Sequence, residues 1–373
     1  MRIAVIGGGV SGITFAINRK RNHPEDEIFV FEHSDKILKK VLATGNGKCN
    51  IANTGEIDKV YNSSIALEIL NKYDYNYQNR FLDSLNIKTK LVGDLSYPIS
   101  ESAVTVRNAY LKEVERLGIK VVTDTTITDY QHRDNVYIIK VDKEYLVDRI
   151  VFAIGGKSSP KLGSDGSLFP LLKKHGYQVK EFNPALCPIY TKEKTKILDG
   201  TRVKAKATLV CEDKILFEES GEVLFKEHGL SGIVIFNLSR IIAQNTSRKY
   251  VILLDLLPDV DIEELYKFSK KHDKETLLNS YLHPNIAKYL SDRSDYVNSI
   301  KMLEFKFDKL YGFENSQISV GGILLNEVNN DLMSKKEKGI YFAGEMLDVD
   351  APCGGYNLMW AIGSALYISD KLK

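Results

Sequence analysis

At 373 residues, with 43% hydrophobic and 10% aromatic content, the chain has material for two or three packed domains and is too apolar to be disordered. Lys and Arg number 51 against 49 Asp and Glu, so the formal net charge is only +2, which argues against a dedicated nucleic-acid binder. No apolar run approaches the roughly 18 residues that span a bilayer, and a strand beginning at residue 2 leaves no room for a signal peptide, so a cytoplasmic protein is expected.

The first element is the apolar run Ile3 to Ile6, which passes directly into Gly7-Gly8-Gly9-Val10-Ser11-Gly12. A helix follows, with Ile13, Phe15, Ala16 and Ile17 on its buried side, and Ile28 to Phe31 forms a second strand. Glu32 closes that strand, 20 residues after the last glycine. A Gly-x-Gly-x-x-Gly alone is weak evidence and can be an ordinary glycine-rich turn. Between a strand and a helix, with the acid at this distance, it is a dinucleotide-binding fingerprint. Gly7 permits the tight turn, Gly9 lets the backbone approach a diphosphate, and Gly12 lets the helix pack closely on the sheet. The helix amino end near Val10 and Ser11 faces the diphosphate, and Glu32 accepts from the ribose hydroxyls. At this point NAD and FAD fit equally well.

Lys39 to Asn50 is polar and punctuated by glycine, and reads as an ordered loop. Helices are expected over Ser64 to Leu85 and Ser102 to Leu117, the latter stopped by Gly118. Val121 to Tyr130, Val136 to Val141 and Tyr145 to Ala153 then read as an antiparallel meander, ending at the pair Gly155-Gly156. Pro184 to Leu256 is mostly β in pattern, and Asp261 to Leu310 is lysine-rich and helical in period. The end of the chain returns to α/β, with a buried strand over Gly339 to Glu345 and a helix over Tyr356 to Leu372. The expected fold is α/β, a discontinuous Rossmann-like FAD-binding domain (1–183 and 317–373) carrying an inserted β-rich domain (184–260) and a small helical subdomain (261–316).

The choice of FAD comes from the C-terminal block. Its strand ends at Gly344 and Glu345, and Gly354-Gly355 opens a helix, so that bare amides at Gly355, Tyr356 and Asn357 form an electron-poor pocket. A reduced flavin ring carries negative charge near N1, which such a helix end stabilises. Glu345 is placed for the ribityl chain or the diphosphate. The bland reading is a capped helix after a core strand.

With both blocks in view, the chain resembles the BaiN-like family of NAD(P)/FAD-dependent oxidoreductases, bacterial flavoproteins of the two-dinucleotide-binding-domain class. The resemblance covers essentially the whole chain. It is carried by residues 7–12, Leu-Ala-Thr-Gly-Asn-Gly-Lys-Cys-Asn at 42–50, Gly-Gly-Lys-Ser-Ser-Pro at 155–160, Gly-Leu-Ser-Gly at 229–232 and the 344–358 block. It implies FAD, with Gly7, Gly9, Val10, Ser11 and Gly12 at the diphosphate and Glu32 at the adenosine ribose. It also implies Lys40, Asn46 and Gly47 along the flavin and its phosphates, and Ile127, on the first meander strand, at the adenine. Gly155 would pack against the adenosine half, and Gly344, Glu345, Gly355, Asn357 and Leu358 would surround the ribityl chain and ring. Three positions depart from the family pattern: Glu227 stands where a histidine is usual, Ile233 where a proline is, and Leu95-Ser96-Tyr97-Pro98 lacks an arginine. They point to a different substrate rather than a different cofactor.

The remaining candidates are weaker. Cys49 and Cys353 sit in flavin-adjacent motifs, but disulfide reductases place their pair about five residues apart. Glu227 and His228 have acid–base chemistry and a loop position that favours a surface role. Tyr356 serves equally as a ring-stacking residue or as helix-entry packing. The four cysteines show no Cys-x-x-Cys spacing, and His23, His33, His132, His175, His272 and His283 share no ligand spacing, so no metal is expected. The function expected is hydride transfer between a small organic substrate and flavin N5, with NAD(P)H or oxygen as the other partner. An RNA-modifying flavoprotein and a non-catalytic flavin-binding protein are the alternatives.

Overall fold

The computed structural model describes Met1 to Lys373, which divide into two compact units, 1–183 with 317–373, and 184–316. The first unit is built on a five-stranded parallel sheet. Its order is Ile340–Phe342, Arg149–Phe152, β1 (Arg2–Ile6), β2 (Glu27–Phe31) and Lys120–Val122. Four of the five residues of β1 are fully or nearly fully buried, as expected of a strand covered on both faces. Helix α1 (Val10–Asn22) follows the glycine turn and packs against the C-terminal helix Tyr356–Lys371. That helix is apolar nearly all round, buried from Met359 to Ser369. The unit also holds a three-stranded antiparallel meander, Asp129–Arg133, Val136–Lys140 and Glu144–Val147, and two smaller sheets, Ala52–Asn53 with Leu95–Pro98 and Thr89–Val92, and Val179–Ala185 with Ile318–Ile323. This is a Rossmann-type α/β fold with added β-rich and helical elements.

The second unit holds a closed barrel of six strands in the order Ile189–Thr191, Gly229–Ser231, Lys214–Lys226, Arg202–Cys211, Tyr250–Asp255 and Leu303–Leu310. Inward alternation is clear in Arg202–Cys211, where Ala205, Ala207, Leu209 and Cys211 are buried.

Four local expectations are corrected. Val121 to Tyr130 is not one strand: Lys120–Val122 belongs to the parallel sheet and Asp129–Arg133 to the meander, so Ile127 lies in the connection between them. Likewise the run Tyr145 to Ala153 breaks at Asp148, where the chain crosses from meander to parallel sheet. Ile233–Ala243 is a helix inside the stretch read as β. Its β-branched start looks strand-like, but Val234, Ile235, Leu238 and Ile242 share one helical face. The helical period over Asp261–Leu310 stops at Lys301, because Leu303, Phe305 and Phe307 alternate into the barrel.

Candidate functional site

The carboxyl ends of β1, β2 and Arg149–Phe152 open into a cleft of the first unit, which encloses ≈1380 Å³ of space, part of it open to solvent. In open α/β sheets ligands bind at that edge. The turn after β1 shows why three glycines are needed there. Gly7 has φ +110°, and a Cβ on it would lie 2.4 Å from the Ala153 carbonyl oxygen. A Cβ on Gly12 would lie 2.1 Å from the Gly7 oxygen. Gly9 differs: nothing lies within 4 Å of the space its side chain would fill, and that space faces the cleft. Gly7 and Gly12 serve the fold, while Gly9 leaves a place for a ligand.

Glu32 is 8% exposed and held by the same turn. Its two carboxylate oxygens accept from Gly8 N and Ser34 N, each at 2.8 Å, and His33 Nδ1 stands 3.2 Å from Oε1. Each oxygen keeps a further lone pair for a hydroxyl. Apolar groups line this end of the cleft, among them Phe31, Ile127, Leu162 and Leu168. The segment Gly163 to Gly166 lies over it, with Gly163 (φ +95°) bringing its bare face near Ser34 and Glu32.

Farther along, Lys40 Nζ donates to Glu345 Oε2 at 2.8 Å and to the fully buried Ser158 hydroxyl at 2.5 Å. Ser158 in turn lies 3.1 Å from Glu345 Oε1 and 3.2 Å from the Gln317 carbonyl, and Ser319 N donates to the same carboxylate at 3.0 Å. A paired cation and anion are thus held rigidly beside the glycine turn. At the far end, Asn357 accepts from Ala351 N and donates to the Ala351 and Pro352 carbonyls, which fixes the loop leading into the C-terminal helix.

Of the residues singled out in the sequence, Gly7, Gly9, Val10, Ser11, Glu32, Lys40, Ile127, Gly155, Glu345, Asn357 and Leu358 all line this cleft. Gly12, Gly344 and Gly355 lie behind the lining, where they allow close backbone approach. Cβ atoms on Gly344 and Gly355 would meet Ser11 Oγ at 2.3 Å and the Ala52 oxygen at 2.6 Å. Asn46 and Gly47 lie outside the lining, on an exposed turn with φ of +54° and +84°. The Gly355 amide is not bare: Asn50, oriented to satisfy both ends of its side chain, accepts from it at 3.2 Å. The electron-poor helix end therefore begins at Tyr356.

Cys49 is fully buried and its thiol is pushed up to about 11 by that burial, which removes the thiolate a redox pair needs. Tyr356 meets Tyr61 edge-on at 6.2 Å, and its own carbonyl accepts from the Tyr61 hydroxyl, a packing arrangement at helix entry. Glu227 and His228 are exposed in a tight turn of the second unit, 4.0 Å apart.

Among the residues the sequence reading missed, Ser164 and Gln317 line the cleft, and Ser158 stands outside the lining, bonded to Lys40. Ser158 stands in the quoted 155–160 motif, and Ser164 in the Gly-Ser-Asp-Gly that follows it, so composition offered a hint for both. Gln317 has no local signal. Ser164 is the most unusual: it is 5% exposed, lines the cleft, and its hydroxyl has no hydrogen-bond partner. Leaving a buried polar group unbonded costs about 1–3 kcal/mol. The empty face of Gly9 and the Glu32 carboxylate along one cleft fit an adenine dinucleotide.

Residues 1–371 match the HI0933-like protein Rossmann domain family. The chain is 31% identical to the 3-dehydro-bile acid delta(4,6)-reductase of Clostridium scindens, over 96% of each chain. It is 23% identical to the ribosomal RNA dihydrouridine synthase of Haemophilus influenzae, over 97% of this chain and 96% of that one. Among solved structures, the 3-ketosteroid delta1-dehydrogenase of Sterolibacterium denitrificans aligns with 99% of this chain and 98% of its own, at a TM-score of 0.51 and 10% identity, a likeness of fold.

Proposed function

The chain belongs to the HI0933-like Rossmann-domain family of flavoprotein oxidoreductases, and from that premise we propose that it binds FAD in this cleft and reduces a carbon–carbon double bond conjugated to a carbonyl. The cofactor part is carried by one observation. A single lining joins the Gly7 to Ser11 turn and Glu32 to the amino end of the helix Tyr356–Lys371. Gly7, Gly9, Val10 and Ser11 would hold the diphosphate against α1, with Glu32 on the adenosine ribose and Gly155 and Ile127 beside the adenosine. Lys40 and Glu345 would flank the diphosphate and ribityl chain, and Asn357 and Leu358 the ring. When bound, the flavin supplies hydride transfer at its N5 atom.

The reaction class draws on the two curated relatives. A delta(4,6)-reductase acting on a 3-dehydro bile acid and a dihydrouridine synthase both, by name, saturate a double bond conjugated to a carbonyl. The substrate proposed is a small organic enone, with NADH or NADPH docking transiently as reductant, because the chain has only one Gly-x-Gly-x-x-Gly. Anaerobic mixing with NADH or NADPH should bleach the yellow flavin, and a conjugated 3-ketosteroid should restore it. If neither nucleotide bleaches the flavin, the reductase reading fails, and peroxide release with a small amine would support an oxidase instead.

The full-length likeness to the ribosomal RNA enzyme favours a second reading, action on an RNA base. Of the lysines it would use, Lys274 is bonded to the Arg293 carbonyl and Lys301 to those of Leu257 and Val260. Lys267, Lys270 and Lys271 stay exposed, but a net charge of only +2 argues against an RNA-binding face. Retention of ribosomal RNA at low salt would support it, and failure to retain RNA would remove it.

A further inference from the structure

We propose that Ser158 is a positioning residue for the cofactor, closing a hydrogen-bonded ring that leaves Lys40 one N–H directed at the bound dinucleotide. The inference rests on the FAD reading above and assigns a residue that the ligand itself does not touch. Ser158 is fully buried, and its hydroxyl oxygen accepts from Lys40 Nζ at 2.5 Å. Its one proton is shared between Glu345 Oε1 at 3.1 Å and the Gln317 carbonyl at 3.2 Å. Lys40 Nζ donates to the other oxygen of the same carboxylate, Glu345 Oε2, at 2.8 Å. Lys40, Ser158 and Glu345 therefore close a ring of three bonds.

An ammonium has three N–H donors. On Lys40 the ring takes two of them, and the third makes no bond within the protein. Two bonds to fixed acceptors stop rotation about the Cε–Nζ bond, so the third donor has a set direction. Lys40 lines the cleft and Ser158 stands behind it, which puts that donor on the cleft side. Glu345 is held in turn, because Ser319 N donates to its Oε1 at 3.0 Å. Gly344, next to Glu345, lies so close to Ser11 that a Cβ there would be 2.3 Å from its Oγ. The ring is thus pinned beside the Gly7 to Ser11 turn, and the free N–H meets a dinucleotide oxygen there. Without the Ser158 oxygen, Lys40 keeps one bond, turns about it and loses that aim.

The test measures FAD affinity of deflavinated full-length protein in a double-mutant cycle of Ser158→Ala with Lys40→Met, and with Lys40→Gln as a second background. Ser158→Ala alone should weaken FAD binding about ten-fold, on the scale of one charged hydrogen bond. In either Lys40 variant it should change the affinity by less than about two-fold, because the side chain it positions is gone. A serine that serves only the fold gives the same loss in every background, and that result would overturn the assignment. Equal FAD affinity in wild type and Ser158→Ala would also overturn it and leave the FAD reading standing. Failure of wild-type apoprotein to take up FAD would sink both.

Discussion

At the scale of single residues, the glycine fingerprint separates into two kinds of position that look alike in the sequence. A methyl on Gly12 collides with a backbone oxygen that no side-chain rotation can move, whereas Gly9 has φ −73° and open space. Gly12→Ala should therefore destabilise the protein by about 2 kcal/mol in urea unfolding. Gly9→Ala should change stability by less than about 0.5 kcal/mol yet weaken FAD binding ten-fold or more, because its methyl occupies the diphosphate's place. Equal stability losses in the two variants would show that both glycines serve only the fold. Cys49 carries a separate expectation. With its thiol near 11, about one molecule in a thousand is thiolate at pH 8. Iodoacetamide at that pH should label the partly exposed Cys353 well before Cys49, as read by mass spectrometry.

At the scale of elements, the lesson lies in the loop that enters the C-terminal helix. Asn357 makes three hydrogen bonds to the backbone of Ala351 and Pro352, so Asn357→Ala should cost about 1–3 kcal/mol and loosen the ring end of the cleft. Matching losses of thermal stability and of FAD affinity would be the signature. The importance of this segment was legible in the sequence, because a strand ending at Gly344-Glu345 and a helix opened by Gly-Gly can be read locally. So were β1, α1, β2 and Glu32, whose spacing is set by one βαβ unit. The partners of these residues were not legible. The use of the Gly355 amide by Asn50 depends on a contact between segments 305 positions apart. The breaks in the meander were hidden for a related reason. Lys120–Val122 and Arg149–Phe152 have ordinary strand composition, and only their tertiary neighbours decide which sheet they join.

At the scale of the whole molecule, the start and end of the chain are tied through one buried ion pair. Arg19 donates to Asp26 at 2.6 Å and to the Leu372 carbonyl at 2.8 Å, and both side chains are nearly inaccessible. Removing one partner, as in Asp26→Asn, should cost roughly 3 kcal/mol. Burial opposes ionisation of Asp26, but bonds from the Met1 ammonium and Arg19 outweigh it and hold the carboxyl below its ordinary 3.8. Asp129 is held at about 2, chiefly by its hydrogen bond to His175 and then by Lys174. Both carboxyls have depressed values, so their stabilisation is present above the ordinary carboxylate range and is lost as the pH falls through each folded value, which for Asp129 is about 2. Urea midpoints measured from pH 5 to pH 2 should fall through that window, and less steeply in Asp26→Asn.

The cleft has a further consequence for how the protein is made. Its lining runs from residues 6–11 through segments within 31–44, 125–127, 153–168 and 317–318 to residues within 345–361, so on the proposed binding mode the diphosphate seat is synthesised well before the ring seat. On the proposed binding mode, a ribosome-stalled chain ending before Gly344 should carry no bound FAD.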